Sequence, residues 1–90
     1  VYARREETAV RFAQDYHIPH WTTNMEAAVS HPETEAVVIA LPNNLHLPAV
    51  LLCAKHKKPV LCTKPLGRNA QEALQMLEAI EKAGIFGGYL

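Results

Sequence analysis

The stretch at residues 36–68 constrains the fold of this 90-residue chain more than any other. An apolar run stops at Pro42, a polar turn follows, and an apolar helical segment leads to a second apolar run that ends before Thr63-Lys64-Pro65. This order predicts a strand, a turn, a helix and a second strand, which together form one parallel β-α-β unit. Because ligands of open parallel sheets bind at the carboxyl ends of strands, the polar clusters after the two strands are candidate binding residues.

Composition limits the class of protein. Ninety residues make one small domain at most. Nine basic residues balance nine acidic ones, which argues against a surface for nucleic acid or anionic membrane. No apolar run approaches the roughly 18 residues of a membrane span, and no charged-then-apolar leader is visible. The chain opens on Val1 as if inside an element, so we expect a fragment of a longer protein.

The cysteines and histidines indicate a reduced protein without a metal centre. Cys53 and Cys62 both lie in apolar segments, where a free cysteine behaves as a small hydrophobic residue. They do not form a disulfide framework, so a cytoplasmic location is the inference. The five histidines show no ligand spacing with the cysteines, and we therefore expect no zinc.

The remaining pattern alternates between helices and strands. Residues 6–16 read as a helix whose apolar face carries Ala9, Phe12, Ala13 and Tyr16. Residues 20–22 read as a short strand, and Thr23 with Glu26, at capping-box spacing, opens a short helix that ends near residues 31–32.

The central apolar run at residues 36–41 is typical of a strand buried on both faces. A helix with Pro48 in its first turn precedes a strand at residues 60–62. Asn69 and Glu72 have capping-box spacing, Gly84 suits a helix end, and another strand begins after it. The alternation predicts an α/β fold with a parallel sheet and right-handed crossovers.

Several of these motifs together resemble a known family. A buried strand that ends in Pro-Asn-x-x-His, a helix, and then Val-Leu-Cys-x-Lys-Pro-Leu is similar to the glucose–fructose oxidoreductase / inositol dehydrogenase / rhizopine-catabolism (Gfo/Idh/MocA) family. Residues 12–19 resemble that family's second helix and following turn, and residues 84–89 resemble its strand after the Lys-Pro helix. The likeness covers nearly the whole chain.

The resemblance implies a Rossmann-type parallel sheet with flanking helices, which binds NAD or NADP. By this comparison, residues 1–90 are a partial NAD(P)-binding domain, incomplete because the first strand and its glycine-rich turn are absent. The C-terminal substrate domain is absent as well. The implied activity is hydride transfer between nicotinamide and a sugar, inositol or related polyol, in a parent enzyme that forms a homo-oligomer.

Lys64 is the candidate catalytic residue. The resemblance places this lysine beside the nicotinamide, where an ammonium group can stabilise charge on the substrate oxygen. From spacing alone, a solvated lysine after a strand is the favoured interpretation, and the motif reverses that preference. Pro65 would fix the turn that aims Lys64. Thr63 stands where the family usually has Glu, so the electrostatic partner of the lysine is open.

The turn after the central strand supplies further candidates for cofactor binding. Pro42, Asn43 and His46 would lie against the ribose and nicotinamide side of the cofactor, and an amide can both donate to and accept from ribose hydroxyls. Pro and Asn are also common in turns, so the two interpretations of Asn43 are balanced. For His46, a structural role is favoured.

The remaining candidates lie near the two ends of the chain. Ala3 occupies the position of the acidic residue that holds the adenine ribose of NAD, and Arg4 and Arg5 follow it. An arginine there suits the phosphate of NADP, so NADP is slightly favoured over NAD, although two solvated arginines are the simpler interpretation. Tyr89 ends the last strand and is expected to approach the nicotinamide.

Two other functional interpretations stay open. The first is a non-catalytic nucleotide- or sugar-binding module, to which Thr63 in place of Glu gives weight. The second is an inactive truncated remnant. If the oxidoreductase interpretation holds, we expect the 90-residue chain alone to be inactive.

Overall fold

The computed structural model describes residues 1–63 and 69–89, which form two compact units, Val1–Pro32 and Glu33–Leu90. The Lys64 and Pro65 candidates therefore lie outside the described residues. No helix within the described ranges combines the length and the apolar character needed to cross a membrane.

The first unit contains helix α1 (Glu6–Asp15), which matches the predicted helix to within one residue. Ala9 and Ala13 are buried, as expected, whereas Phe12 and Tyr16 are exposed and stack on each other with ring centroids 4.6 Å apart. The predicted apolar face of α1 therefore carries two buried small residues and two exposed aromatic rings.

Helix α2 (Met25–Ser30) begins one residue later than the capping box predicted. The N-cap is Asn24, whose Oδ1 accepts the backbone N–H of Ala27 at 3.0 Å, and not Thr23. Asn caps a helix as well as Thr does. The hydroxyl of Thr22 accepts the N–H of Asn24 at 3.0 Å and fixes that cap.

The strand predicted at residues 20–22 is reduced to one parallel bridge between Thr22 and Tyr2. The N–H of Ala3 donates to the carbonyl of Thr22 at 3.2 Å, and the N–H of Thr22 donates to the carbonyl of Val1 at 3.0 Å. Arg4 and Arg5 thus follow a short extended segment and directly precede α1.

The second unit is built on a three-stranded parallel sheet in the order β1-β2-β3. Its strands are β1 (Val37–Ile39), β2 (Val60–Cys62) and β3 (Gly87–Tyr89). A 3₁₀ helix (Asn43–Leu45) and helix α3 (His46–Lys55) connect the first two strands, and α4 (Ala70–Ala83) precedes the third. The predicted parallel α/β architecture is confirmed, although β1 is shorter than its apolar run.

The two faces of this sheet differ in burial. The covered face carries Val37, Ile39, Val60 and Cys62, and α3 contacts β1 and β2 there. The open face carries Val38, Leu61 and Gly88, which are register partners, and Val38 is 65% exposed. The prediction that β1 is buried on both faces is therefore wrong in this structure, because only one face of β1 is packed.

Helix α4 begins and ends where the sequence predicts. Asn69 Oδ1 accepts the N–H of Glu72 at 2.9 Å, and Gly84 terminates the helix with a φ of 67°. The N–H of Gly84 donates to the carbonyl of Glu81, and the N–H of Ile85 donates to that of Ile80. This pair of bonds is the Schellman motif, and its left-handed residue favours glycine.

Helices α3 and α4 pack against each other and supply most of the buried side chains of the second unit. Met76 of α4 and Val50 and Cys53 of α3 are fully buried. Leu77, the residue after Met76, is exposed. Adjacent helical positions are about 100° apart, so one apolar residue reaches the core while the next does not.

Candidate functional site

The carboxyl ends of β1 and β2 meet at one edge of the sheet. Ile39 and Cys62, the last residues of the two strands, are register partners. The backbone N–H of Thr63 donates to the carbonyl of Ile39 at 3.0 Å and extends the pairing by one residue. Thr63 is half-buried at this position. The structure therefore brings the start of the Thr-Lys-Pro segment next to the residues that leave β1.

The polar turn after β1 is compact and accessible. Asn43 opens the 3₁₀ helix, and the N–H of Leu45 donates to the carbonyl of Pro42 at 2.9 Å. Pro42 and Asn44 are exposed. This turn leads directly into α3, so the exposed residues lie between a strand end and a helix start, which is the usual place for a ligand in a parallel sheet.

His46 is the first residue of α3 and is 1% exposed. Its Nε2 lies 2.8 Å from the carbonyl oxygen of Leu41. A carbonyl oxygen can only accept, so Nε2 carries the proton and donates it. A buried polar ring that bonds the backbone supports the structural role favoured from the sequence.

The two cysteines are free, buried thiols on the core side of the second unit. Burial, together with the nearby Cys62, raises the pKa of the Cys53 thiol to about 11. Burial also raises the pKa of Cys62. Both thiols are therefore protonated near neutral pH, which makes them poor nucleophiles, since the thiolate is the reactive form.

Arg4 and Arg5 lie in the first unit and are both exposed. Arg5 is the N-cap residue of α1, and its side chain makes no capping hydrogen bond. Together with Thr8, Arg11 and Phe12 it lines a groove along that helix. The acidic first turn, Glu6 and Glu7, is close to both arginines in the chain.

The other predicted residues are placed less fully. Tyr89 is the last residue of β3 and pairs in register with Cys62. The structure thus brings the strand-end residues Pro42, Asn43, Thr63 and Tyr89 onto the ends of adjoining strands of one sheet. Within residues 1–63 and 69–89, no three His, Cys, Asp or Glu side chains are grouped as metal ligands would be.

Sequence reasoning missed the backbone partners that shape this edge. The carbonyl of Leu41 accepts from His46, and the carbonyl of Ile39 accepts from Thr63. Backbone acceptors leave no mark in residue identity. The one available signal is the spacing that places His46 at the first helical position after a short polar turn.

These features define a Rossmann-type parallel α/β unit, and comparison with known proteins gives its family. The family model described as "Oxidoreductase family, NAD-binding Rossmann fold" (Gfo/Idh/MocA) matches residues 1–87. The chain belongs to this family, and the resemblance noted in the sequence is confirmed.

Two of the curated relatives are dehydrogenases that are named for different substrates. Over 86 residues, or 96% of this chain, it is 40% identical to trans-1,2-dihydrobenzene-1,2-diol dehydrogenase of Mus musculus. Over 85 residues, or 94% of this chain, it is 34% identical to scyllo-inositol 2-dehydrogenase (NADP(+)) IolU of Bacillus subtilis. The chain spans 26% of the length of each of these two relatives.

A solved structure gives the same fold. The complex of levoglucosan dehydrogenase with NADH and levoglucosan superimposes with a TM-score of 0.87 at 26% sequence identity. The superposition covers 96% of this chain and 24% of that enzyme's chain.

The residues at the sheet edge fit a dinucleotide. Pro42 and Asn44 are exposed in the turn after β1, and Thr63 follows β2 with its N–H bonded to the end of β1. The side chains of Ile39 and Cys62, at the strand ends, face the core and are buried. The polar groups that follow them lie at the carboxyl ends of two adjoining parallel strands, which is where a dinucleotide binds in a Rossmann-type sheet.

Proposed function

We propose that the protein containing this chain is an NAD(P)-dependent oxidoreductase that acts on a sugar, an inositol or a related polyol. The observation that carries the proposal is the pairing of Thr63 with Ile39, which sets Thr63 beside the strand that leads into the Pro-Asn-x-x-His turn. The named substrates of relatives support the substrate class, since they include scyllo-inositol and levoglucosan. The dinucleotide, when bound, supplies the hydride chemistry.

In this proposal the chain is part of the dinucleotide-binding domain, and the substrate domain belongs to the rest of a longer, homo-oligomeric protein. The chain's share of its relatives' length, about a quarter, supports this division. The 90-residue chain alone would be inactive. Its free cysteines favour a reducing compartment such as the cytoplasm.

Lys64 has the central chemical role in the proposal. Its ammonium group would donate to the substrate oxygen and stabilise negative charge that develops there during hydride transfer. Pro65 would restrict the backbone that positions this lysine. Thr63 would contribute a neutral hydroxyl where most family members have a carboxylate, so Lys64 would lack that charged neighbour.

The cofactor would contact the ends of all three strands. Pro42 and Asn43 would face the nicotinamide ribose, with the Asn43 amide bonding its hydroxyls. Tyr89 would lie near the nicotinamide from the end of β3. His46 would contribute through the turn that it supports, because its ring is buried.

Replacing Lys64 tests the catalytic assignment. In the full-length protein, we expect Lys64→Met to lower kcat about 10²- to 10³-fold with a responsive polyol, since a preorganised donor to the reacting oxygen is lost. The dinucleotide dissociation constant should change by no more than about twofold, corresponding to a small binding term. Lys82→Met, an exposed change in α4, is the matched control. Equal rates for Lys64→Met and the wild type would contradict the assignment.

NADP is the cofactor that we propose as preferred. The exposed guanidinium groups of Arg4 and Arg5 could bind the 2′-phosphate, as arginines near this position do in Rossmann domains. Glu6 and Glu7 would oppose a phosphate, which leaves use of both cofactors open. Relatives support both, because one is named for NADP and another was solved with NADH.

The preference is tested by comparing a variant of Arg4 with a control variant. Arg4→Ala should weaken NADPH binding about tenfold, corresponding to the loss of one charge-assisted contact, and leave NADH binding unchanged. Lys82→Ala, an exposed change on α4, should alter neither affinity. Unchanged NADPH binding in Arg4→Ala would sink the NADP preference without touching the oxidoreductase assignment.

A non-catalytic binding module is the second candidate, favoured by Thr63 in place of the usual glutamate. A full-length protein that binds NAD(P)H but oxidises no member of a broad panel of sugars and polyols would support this candidate. An inactive remnant would bind neither dinucleotide.

A further inference from the structure

We propose that His46 is a positioning residue for the dinucleotide site: its ring holds the Leu41 carbonyl and so fixes the turn at residues 42–45. The inference rests on the dinucleotide-binding function proposed above and assigns the histidine a specific part in it. His46 would not touch the cofactor, and would act only through the backbone of the turn.

Burial and geometry separate His46 from the exposed residues of the turn. The ring is 1% exposed, while Pro42 and Asn44 are on the surface. Nε2 donates to the Leu41 carbonyl at 2.8 Å, which is a well-formed hydrogen bond. The bond reaches back five residues, from the first residue of α3 to the chain that leaves β1.

Three carbonyls between β1 and α3 are each held by a different partner. The carbonyl of Ile39 accepts from Thr63 on β2's side, and that of Pro42 accepts from Leu45 inside the turn. The carbonyl of Leu41, which lies between them, accepts from His46. The first bond ties the segment to the sheet and the second closes the turn. The third ties the segment to α3, so His46 sets the angle at which the turn leaves the sheet.

The His46 ring provides the side-chain hydrogen bond that links the start of α3 to the turn. The N-cap residue is Leu45, whose side chain cannot cap the helix, and it makes no capping hydrogen bond. A buried polar ring is unfavourable unless it is hydrogen-bonded, so the ring and the Leu41 carbonyl stabilise each other. Without the donor, the carbonyl would have to turn towards water, and the turn would move with it.

The inference is tested with two variants whose side-chain amides lie at different distances from the backbone. In a glutamine side chain, Nε2 can occupy nearly the position of the histidine Nε2, whereas the asparagine amide is one methylene shorter. The full-length protein would be prepared as wild type, His46→Gln and His46→Asn, with His17→Asn as an exposed control at a left-handed position that Asn tolerates. Each would be titrated with the preferred NAD(P)H and with ADP, which lacks the nicotinamide ribose and would carry a 2′-phosphate if NADPH is preferred.

The expected result is a selective loss on the nicotinamide side. His46→Asn should weaken NAD(P)H binding about five- to tenfold, as for one lost hydrogen bond, with the dissociation constant for ADP within about twofold of wild type. His46→Gln should restore NAD(P)H binding to within about twofold to threefold. The control should match the wild type for both probes.

Three outcomes would overturn the inference. Equal NAD(P)H affinity in all variants would mean that the turn does not need His46. Equal weakening of both probes, in Asn and Gln variants alike, would show a general structural role. A wild-type protein that binds neither NADH nor NADPH would overturn the proposed function together with the inference. This third outcome is seen in the wild type alone, whereas the first two appear only when the variants are compared.

Discussion

The two faces of the three-stranded sheet carry similar apolar side chains but have different surroundings. On the covered face, Ile39 and Val60 are each 2% exposed beneath α3. On the open face, their neighbour Val38 is 65% exposed. Parallel sheets are generally covered on both faces. The difference therefore indicates that the sequence of β1 is adapted to a second covering layer, which we assign to the longer protein proposed above.

The largest expected difference in stability is between two separate alanine variants, one on each face of the sheet. Ile39→Ala should lower the free energy of unfolding of this chain by about 2–5 kcal/mol, because it leaves a cavity beneath α3. Val38→Ala should cost no more than about 0.5 kcal/mol, because most of its side chain already contacts water. Urea unfolding monitored by circular dichroism measures both.

The same pair of variants in the full-length protein sharpens the comparison. If other segments cover the open face there, Val38→Ala should become clearly destabilising and the difference from Ile39→Ala should narrow. Equal costs in the 90-residue chain itself would contradict the distinction between the two faces.

Glycine substitutions on adjacent positions of β3 give a smaller contrast. A Cβ at Gly87 would lie 2.7–2.9 Å from Ile80 side-chain atoms of α4, so Gly87→Ala should cost about 1–3 kcal/mol through overpacking. A Cβ at Gly88 would meet the tip of Leu61 at 3.2 Å, a group that can move, and Gly88→Ala should cost less than about 1 kcal/mol. Thermal unfolding of the two variants is the measurement, and a larger loss for Gly88→Ala would reverse the assignment of the faces.

A third contrast concerns the change in the free energy of unfolding with pH, to which we expect only the core side of the sheet to contribute. The pKa of Cys53 is raised by burial from 9.0 to about 11 in the folded protein, so the unfolded chain releases this proton first as pH rises. The stabilisation from Cys53 is therefore complete below about pH 9 and is lost between about pH 9 and 11. Urea unfolding across this range should show a smaller decline in Cys53→Ala. An unchanged decline in that variant would assign the effect to other groups.

Local signals in the sequence predicted much of the second unit. The strand Val60–Cys62, the Asn69 cap and the Gly84 terminus all appear where expected, because apolar runs, capping side chains and left-handed positions depend on a few adjacent residues. The N-cap of α2 was displaced by one residue because Thr23 and Asn24 are both acceptable caps.

Other features depend on contacts that no local pattern encodes. The exposure of Val38 depends on whether another layer covers that face of the sheet. The apolar sequence of β1 is the same whether the face is covered or open. The bond between His46 and Leu41 uses a backbone acceptor, so residue identity indicates the donor but not its partner. The order of the elements along the chain predicted that the strand ends share one edge of the sheet. The hydrogen bond from Thr63 to Ile39 at that edge follows from the register of β1 and β2, which chain order does not give.

The most direct test of the central claim is hydrogen–deuterium exchange of the full-length protein with and without NADPH and NADH. If the edge formed by β1 and β2 binds the nicotinamide end, amides at residues 43–46 and 63–64 should exchange more slowly with dinucleotide bound, while those at the C-terminal end of α4 should not change. Protection confined to other segments, with these amides unaffected, would contradict the account.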